Sequence, residues 1–149
     1  KYIDYLDYAI AGIHCLCYKD AGREENTSNL IECMKNDKVR IVSHPDDDHT
    51  PLNYERLVAA AKQYHVALEV NNSSLLKEEK RLNCRENYKV MLAECEKQGV
   101  MIIVDSDAHD PSRVGRFQLA EEMIEGLHFD ENLILNNDKE KLIRFLTDK

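Results

Sequence analysis

The stretch Val100–Asp110, VMIIVDSDAHD, joins an unbroken apolar run to a short group of acidic residues and a histidine. Five consecutive apolar residues, Val100–Val104, are typical of a buried strand. Polar residues directly after such a strand usually form a solvated turn, but aspartate and histidine are also side chains that bind transition metals. The stretch therefore predicts a buried strand. It leaves open whether Asp105, Asp107 and His109 form a turn or the rim of a metal site.

The same unit, a short apolar run followed by a polar exit and a helical pattern, occurs three more times upstream. Between the runs, apolar residues recur at helical spacing, as at Leu57, Val58 and Ala61. An alternation of strands and helices predicts an α/β fold with a parallel sheet. The upstream runs are Tyr8–Ile13, Val39–Val42 and Val66–Val70, and their exits are His14, Ser43–Pro45 and Glu69–Ser74.

Capping residues predict where several helices begin and end. Asn83, with Glu86 three residues later, has the pattern of a capping box, and Gly99 is typical of a helix end. Asn137 or Asp138 is predicted to cap the last helix. The predicted helices lie near Asn29–Asn36, at Tyr54–Tyr64, from Asn83 to Gly99, at Phe117–Glu125 and at Lys139–Leu146, with a short strand at Leu133–Leu135.

The four polar exits are predicted to face one cleft, because the carboxyl ends of parallel strands meet at one edge of a sheet. Each exit taken alone is ordinary turn or cap chemistry, but the four in succession favour a site. Histidine and carboxylate together suit zinc, manganese or iron, and such a metal makes bound water a nucleophile near neutral pH. The predicted ligands are His14, His44, Asp107 and His109.

Length and charge restrict the classes of partner. A chain of 149 residues predicts a single domain over 1–149, and no apolar stretch approaches the length of a membrane span. The net charge of -8 disfavours nucleic acids as partners. It does not disfavour a small phosphorylated substrate, because bound divalent cations would reverse the local sign. The acidic run Asp46–Asp48 is interpreted as a solvated loop or as a group that repels anions.

The cysteines indicate a reducing, cytoplasmic location. Their number is five, which is odd, and no Cys-x-x-Cys pair occurs. Cys15 and Cys17 are two residues apart, and buried apolar packing is the favoured role for them over metal binding. The first residue is Lys1 and not methionine, which we interpret as a cut inside a larger protein.

The motifs, in their order along the chain, resemble the PHP (polymerase and histidinol phosphatase) family, in particular its small stand-alone phosphoesterases. The resemblance covers nearly the whole chain. It implies a distorted (β/α)7 barrel and divalent metal ions, zinc first and manganese or iron next, with up to three in a complete domain. The matching segments are Ile13–His14, Ser43–Pro45, Leu68–Ser74, Asn83–Glu86 and Ser106–His109.

The resemblance also implies a role for each matching residue. His14 and His44 would share one metal, Asp107 would bind a second and His109 a third, with Asp107 and His109 as the catalytic residues. Apart from the resemblance, Ser74 and Arg85 are candidates for holding the substrate phosphate, and an exposed position in the first turn of a helix is the alternative for Arg85. The family's His-x-His motif and bridging glutamate are absent from the sequence. The chain is therefore interpreted as the carboxyl-terminal portion of a single PHP domain.

These observations favour a metal-dependent phosphoesterase that cleaves a small phosphate monoester. Two alternatives stay open: a PHP-type nuclease, and a non-catalytic or truncated PHP module with a structural or partner-binding role. The acidic charge balance disfavours the nuclease. The sequence leaves the substrate and the oligomeric state undetermined.

Overall fold

A computed structural model describes residues 2–14 and 16–148 of the chain. Its centre is a four-stranded sheet in which every neighbouring pair of strands is parallel and the spatial order follows the chain, β1-β2-β3-β4. The predicted α/β fold with a parallel sheet is therefore confirmed. The strands are β1 (Ala9–Ala11), β2 (Val39–Val42), β3 (Ala67–Asn71) and β4 (Ile102–Asp105).

Helices connect the strands and follow the last of them. In the described part of the chain they are α1 (Arg23–Met34), α2 (Tyr54–Tyr64), α3 (Asn72–Leu76), α4 (Cys84–Gln98), α5 (Gln118–Gly126) and α6 (Lys139–Thr147). Short 3-10 turns lie at Ile3–Tyr5, Glu78–Lys80, Pro111–Arg113, Glu131–Leu133 and Leu135–Asn137. The helix prediction at Tyr54–Tyr64 and the strand prediction at Val39–Val42 match the structure at both ends.

The first helix is longer than predicted. It starts at Arg23, well before the predicted Asn29, and ends at Met34. Gly22 precedes it with φ 88° and provides no side-chain cap, so a typical start signal is missing from the sequence. Glu24 and Glu25 in the first turn favour the helix N-terminus electrostatically.

Two further predictions of local structure are wrong. Asn83 precedes α4 with a left-handed φ of 58° and makes no capping bond; its amide donates instead to Asp48 Oδ2, at 2.7 Å. The predicted strand Leu133–Leu135 is replaced by two 3-10 turns around Ile134, which forms a single parallel bridge with Ile102. At each place a contact with a distant residue decides the conformation.

The two faces of the sheet are covered differently. Residues such as Val42, Leu68 and Val104 belong to the main core, together with apolar residues of the helices. A second, smaller cluster combines the sheet residues Ile41, Ala67 and Ile103 with Leu135 and with Phe145 of α6. Because these sheet residues alternate with those of the main core, α6 covers the opposite face of the sheet.

Strands that are consecutive in the chain are neighbours in the sheet, and parallel (β/α) barrels have the same strand order. A doubly wound sheet would instead reverse its strand order at a switch point. The four strands of the described residues form an open sheet, so the predicted barrel is not formed by them. No helix within residues 2–14 and 16–148 combines the length and the apolar character needed to cross a membrane.

Candidate active site

The polar exits of the strands line one pocket at the carboxyl-terminal edge of the sheet. The pocket has a volume of about 400 Å³, a size typical of small-molecule sites. It is lined by the four predicted metal ligands, His14, His44, Asp107 and His109, and also by Ser74, Lys77, Lys80 and Arg81. The structure thus brings the four candidates together, while their role as metal ligands stays a prediction.

His14 and His44 lie next to each other, although they come from separate strand exits. Their ring centroids are 5.8 Å apart and the rings are nearly perpendicular. Nδ1 of His44 is buried and has no hydrogen-bond partner. Burial, followed by the nearby Arg81 guanidinium, lowers the pKa of His44. A neutral imidazole with an unpaired buried nitrogen is the form of histidine that binds a metal.

Glu69 belongs to one of the predicted polar exits, but the sequence analysis assigned it no role in the site. It lies on β3, is only 6% exposed, and accepts hydrogen bonds from the backbone N–H of His44 and from Asn71 Nδ2. Burial, with smaller contributions from the Asp105 and Asp107 carboxylates, raises the pKa of Glu69 to about 7, although the two hydrogen bonds that Glu69 accepts oppose the shift. The signal in the sequence was a charged residue inside the apolar run Val66–Val70, since buried charges occur where they have a partner.

Asp107 and His109 line the pocket from the turn that follows β4. Asp107 has a positive φ of 46°, and its N–H donates to Asp105 Oδ1 at 3.1 Å. His109 Nδ1 lies 3.0 Å from the carbonyl oxygen of Asp107 and 3.7 Å from its Oδ1. The tight turn therefore places both side chains close together at the mouth of the pocket.

The donor set matches a metal in chemistry, and its fit in geometry is partial. The unpaired His44 Nδ1 and the neighbouring His14 are nitrogen donors, and Asp107 adds carboxylate oxygens. Within residues 2–14 and 16–148, however, no group of three or more His, Cys, Asp or Glu side chains is arranged to hold a metal ion. A complete coordination sphere would need a further ligand or rotation of the side chains that are present.

A cationic group lies in the same pocket and was not predicted. Arg81 lies three residues before the start of α4 and contacts two buried carboxylates, Asp46 at 3.1 Å and Asp47 at 3.5 Å. Asp46 is fully buried, and this desolvation raises its pKa even though Arg81 opposes the shift. The interpretation of Asp46–Asp48 as a solvated loop is therefore wrong for Asp46 and Asp47, because Arg81 pairs with both.

Of the two predicted substrate-binding residues, only Ser74 lines the pocket. Its side chain is buried, and Oγ accepts a hydrogen bond from Arg81 Nε at 3.1 Å. Arg85 is not among the lining residues; its Nε donates to Glu78 Oε1 at 2.9 Å on the surface of α4. The role predicted for Arg85 is untested, and Arg81 is the arginine placed to meet a ligand.

Two further histidines, His49 and His65, are not among the residues that line this pocket. His49 binds Asp47 through Nδ1 at 2.6 Å and does not line the pocket. A second cavity, of about 430 Å³, lies at the amino ends of β3 and β4 and is lined by residues such as His65, which contacts Phe145. Cys17 is exposed, so its predicted burial is wrong, and Cys15 lies outside the described residues.

Comparison with known proteins shows similarity to phosphatases over nearly the whole chain. The chain is 37% identical over 144 residues to a probable phosphatase of Clostridium botulinum, covering 97% of this chain and 58% of that protein. It is 34% identical over 149 residues to a probable phosphatase of Acetivibrio thermocellus, covering 100% of this chain and 61% of that protein. A probable phosphatase of Thermoanaerobacter pseudethanolicus is 36% identical over 145 residues.

These similarities support a phosphatase family. No protein-family model matches the chain. The chain spans about three fifths of the length of the curated relatives named above, at 58% to 61%.

Proposed function

We propose that the chain is the carboxyl-terminal portion of a PHP-type phosphoesterase domain. In this proposal the domain hydrolyses a small phosphate monoester with the help of divalent metal ions. Zinc is the first candidate, and manganese or iron are the alternatives. The observation that carries the proposal is that His14, His44, Asp107 and His109, from three separate strand exits, line one pocket.

Two independent features support this choice over other hydrolases. The pocket lies at the carboxyl ends of parallel strands in sequential order, where barrel enzymes hold their active sites. The relatives at 31% to 37% identity are named probable phosphatases. The remaining metal ligands implied by the PHP resemblance, a His-x-His pair and a bridging glutamate, would belong to the part of the domain that this chain does not cover.

Each residue has a distinct task in the proposed reaction. The four donors would contribute to holding divalent cations, and such cations would supply an activated water and offset the charge of the phosphate. Glu69 accepts the His44 backbone N–H and so holds that imidazole toward the pocket. Asp107 and His109 are the catalytic pair, because they reach the exposed mouth where a phosphate ester and water both have access.

One observation favours a second candidate, a non-catalytic PHP module. Among residues 2–14 and 16–148, no three potential ligands surround one point. A module of this kind would keep the fold and the pocket without binding metal. A PHP-type nuclease is less well supported, because a net charge of -8 opposes the approach of a polyanion.

The test uses protein produced from its complete coding sequence and the substitution His14→Asn. We expect stoichiometric transition metal by elemental analysis and hydrolysis of an aryl phosphate. Loss of a ligand should cost more than about 100-fold in activity or metal affinity, since even residues that only orient ligands cost 10-fold to 100-fold.

His128→Asn is the matched control. His128 has a left-handed φ of 55°, which asparagine tolerates, and it does not line the pocket. This variant should keep both metal and activity. Wild-type protein without metal would contradict the catalytic proposal and leave the non-catalytic module. Degradation of single-stranded DNA without hydrolysis of the aryl phosphate would favour the nuclease.

A further inference from the structure

We propose that the substrate carries a second anionic group besides the phosphate that is cleaved, and that Lys77, Lys80 and Arg81 recognise this group. The inference rests on the proposed function, because it concerns the substrate of the same pocket. It defines a substrate class: phosphate monoesters that bear a further phosphate or carboxylate.

The three cations come from a single short segment between α3 and α4. Lys77, Lys80 and Arg81 line the pocket that also contains the four candidate metal ligands. The two acidic residues between them are absent from the lining, and Glu78 is paired with Arg85 on the outside. The segment therefore presents its positive charges to the pocket and its negative charges elsewhere.

Arg81 is held in a fixed position by three contacts. Its side chain is 15% exposed, and its Nη atoms lie 3.1 Å from Asp46 Oδ1 and 3.5 Å from Asp47 Oδ2. Its Nε donates to Ser74 Oγ at 3.1 Å. A guanidinium has five N–H donors in a rigid fork, so a fixed arginine keeps donors in a defined direction for a planar or tetrahedral anion.

Lys77 and Lys80 supply the uncompensated charge. Asp46 and Asp47 balance Arg81, but no ion pair or side-chain hydrogen bond of either lysine is found within residues 2–14 and 16–148. The chain as a whole has a net charge of -8, whereas these two unpaired lysines add positive charge to the pocket. Their attraction for an anion is strongest at short range, inside the pocket.

The size and the layout of the pocket call for more than one anionic group. The candidate metal ligands follow β1, β2 and β4, whereas the cations follow α3, so the two sets approach the pocket from different parts of the fold. A volume of about 400 Å³ accommodates a small organic molecule and not only a phosphate ion. A substrate with two separated anionic groups would use both sets at once.

The experiment compares three substrates that share a propyl chain: propyl phosphate, propane-1,3-diol bisphosphate and 3-(phosphonooxy)propanoate. We expect kcat/KM for one or both doubly charged substrates to exceed that for propyl phosphate by about tenfold or more. The bisphosphate and the carboxylate distinguish the two possible sources of the second charge. Equal values for all three substrates would overturn the proposal.

Substitutions of the three cationic residues test whether they cause the preference for doubly charged substrates. The double variant Lys77→Gln/Lys80→Gln should reduce the preference for the doubly charged substrate about tenfold. Arg81→Lys keeps the charge but loses the fork, so it should also reduce the preference. Lys89→Gln is the matched control, because Lys89 pairs with Glu86 on the surface of α4 and does not line the pocket. A preference that survives the double variant would contradict the assignment.

A binding measurement separates this inference from the proposed function. Propane-1,3-bisphosphonate and propylphosphonate resist hydrolysis, and calorimetry gives their affinities directly. Tighter binding of the bisphosphonate that is lost in the double variant, without hydrolysis of any substrate, would support the cationic residues and refute the phosphoesterase. Hydrolysis combined with equal affinities would refute the cationic residues alone.

Discussion

His44 and Asp107, two of the candidate metal ligands, have backbone conformations in the left-handed region, with φ values of 31° and 46°. Histidine and aspartate are among the residue types that adopt this region most often, and such conformations concentrate at functional sites. At His44 the buried Glu69 carboxylate accepts the backbone N–H and holds the turn. The direction of the imidazole is therefore set by a residue of the neighbouring strand.

Which of the two arginines, Arg81 or Arg85, lines the pocket was not predictable from the sequence. Arg85 was predicted to bind substrate, yet it contacts Glu78 at the surface, and Arg81 lines the pocket instead. Arg81 occupies this position because Asp46 and Asp47, more than thirty residues upstream, pair with it. Pairing across such a separation depends on the tertiary fold.

Close packing at Gly12 leads to a prediction at the residue scale. A Cβ at this position would come into steric conflict with Ser43 Oγ, in the turn that leads into His44. Gly12→Ala should lower the free energy of unfolding by about 1 to 3 kcal/mol, because overpacking forces the neighbouring side chain or backbone to move. Chemical denaturation of the purified protein measures this change.

The double variant Gly12→Ala/Ser43→Ala tests the cause. Without Oγ, the remaining Ser43 atoms near the added Cβ lie at 3.6 Å or beyond, which is ordinary contact distance. The double variant should therefore be nearly as stable as Ser43→Ala alone, a non-additive result expected of residues in contact. Strictly additive losses would show that the conflict is not with the hydroxyl.

At the scale of elements, prediction succeeded where the signals lay inside the element itself. The α2 helix has a capping asparagine, an apolar face of Leu57, Val58 and Ala61, and an end at His65 in the left-handed conformation. Its predicted bounds are correct. The α1 helix has no such cap, and its buried Asn26 instead accepts the N–H of Ala21 and donates to the Pro51 carbonyl. That start depends on a distant loop.

The cap of α2 provides a prediction at this scale. Asn53 Oδ1 accepts the backbone N–H of Arg56 at 3.2 Å, which satisfies one of the free N–H groups of the first turn. Asn53→Ala should lower the free energy of unfolding by about 1 kcal/mol. Thermal and denaturant unfolding monitored by circular dichroism give the value.

Asn53→Ser is the control for this cap. Serine also accepts a hydrogen bond from the first turn, so this variant should recover most of the stability lost in the alanine variant. Asn53 Nδ2 also donates to Glu24 Oε1 at 3.0 Å, a contact that both variants lose. Equal losses in the two variants would assign the effect to Glu24 and not to the cap.

At the scale of the whole molecule, the sheet separates two environments. Its carboxyl-terminal edge carries the polar pocket, and α6 covers part of one face with Phe145 next to Ile41 and Ala67. Eleven of the buried residues in the described part of the chain are polar or charged, and three of them, Asp47, Ser73 and Ser74, line the pocket. Burial of polar groups costs free energy unless they have partners, so the stability of this edge depends on the hydrogen bonds and ion pairs among its buried polar groups.

Metal binding would stabilise the whole fold, because a ligand that binds only the folded state shifts the unfolding equilibrium. Free zinc or manganese at about 100 times its dissociation constant should raise the free energy of unfolding by about 2.7 kcal/mol. A chelator should reverse the effect. Thermal unfolding with and without metal measures it independently of catalysis.

Asp107→Asn and Asp7→Asn form the matched pair for this measurement. Asp107 lines the pocket, so the Asp107→Asn variant should lose most of the stabilisation by metal. Asp7 is exposed and lies outside the pocket, so the Asp7→Asn variant should keep this stabilisation. Equal stabilisation of both variants would place the bound metal elsewhere in the molecule. An unchanged unfolding temperature in wild-type protein would contradict a structural contribution from metal.

The sequence by itself determined the alternation of strands and helices, the parallel sheet and the residues at the strand ends, because apolar periodicity and capping act within a few residues along the chain. Only the tertiary structure decided that Arg81 and not Arg85 faces the pocket, that Glu69 holds His44, and that Asp46 and Asp47 are buried. Those features arise from pairing between residues far apart in the chain, where desolvation makes each buried charge require a specific partner.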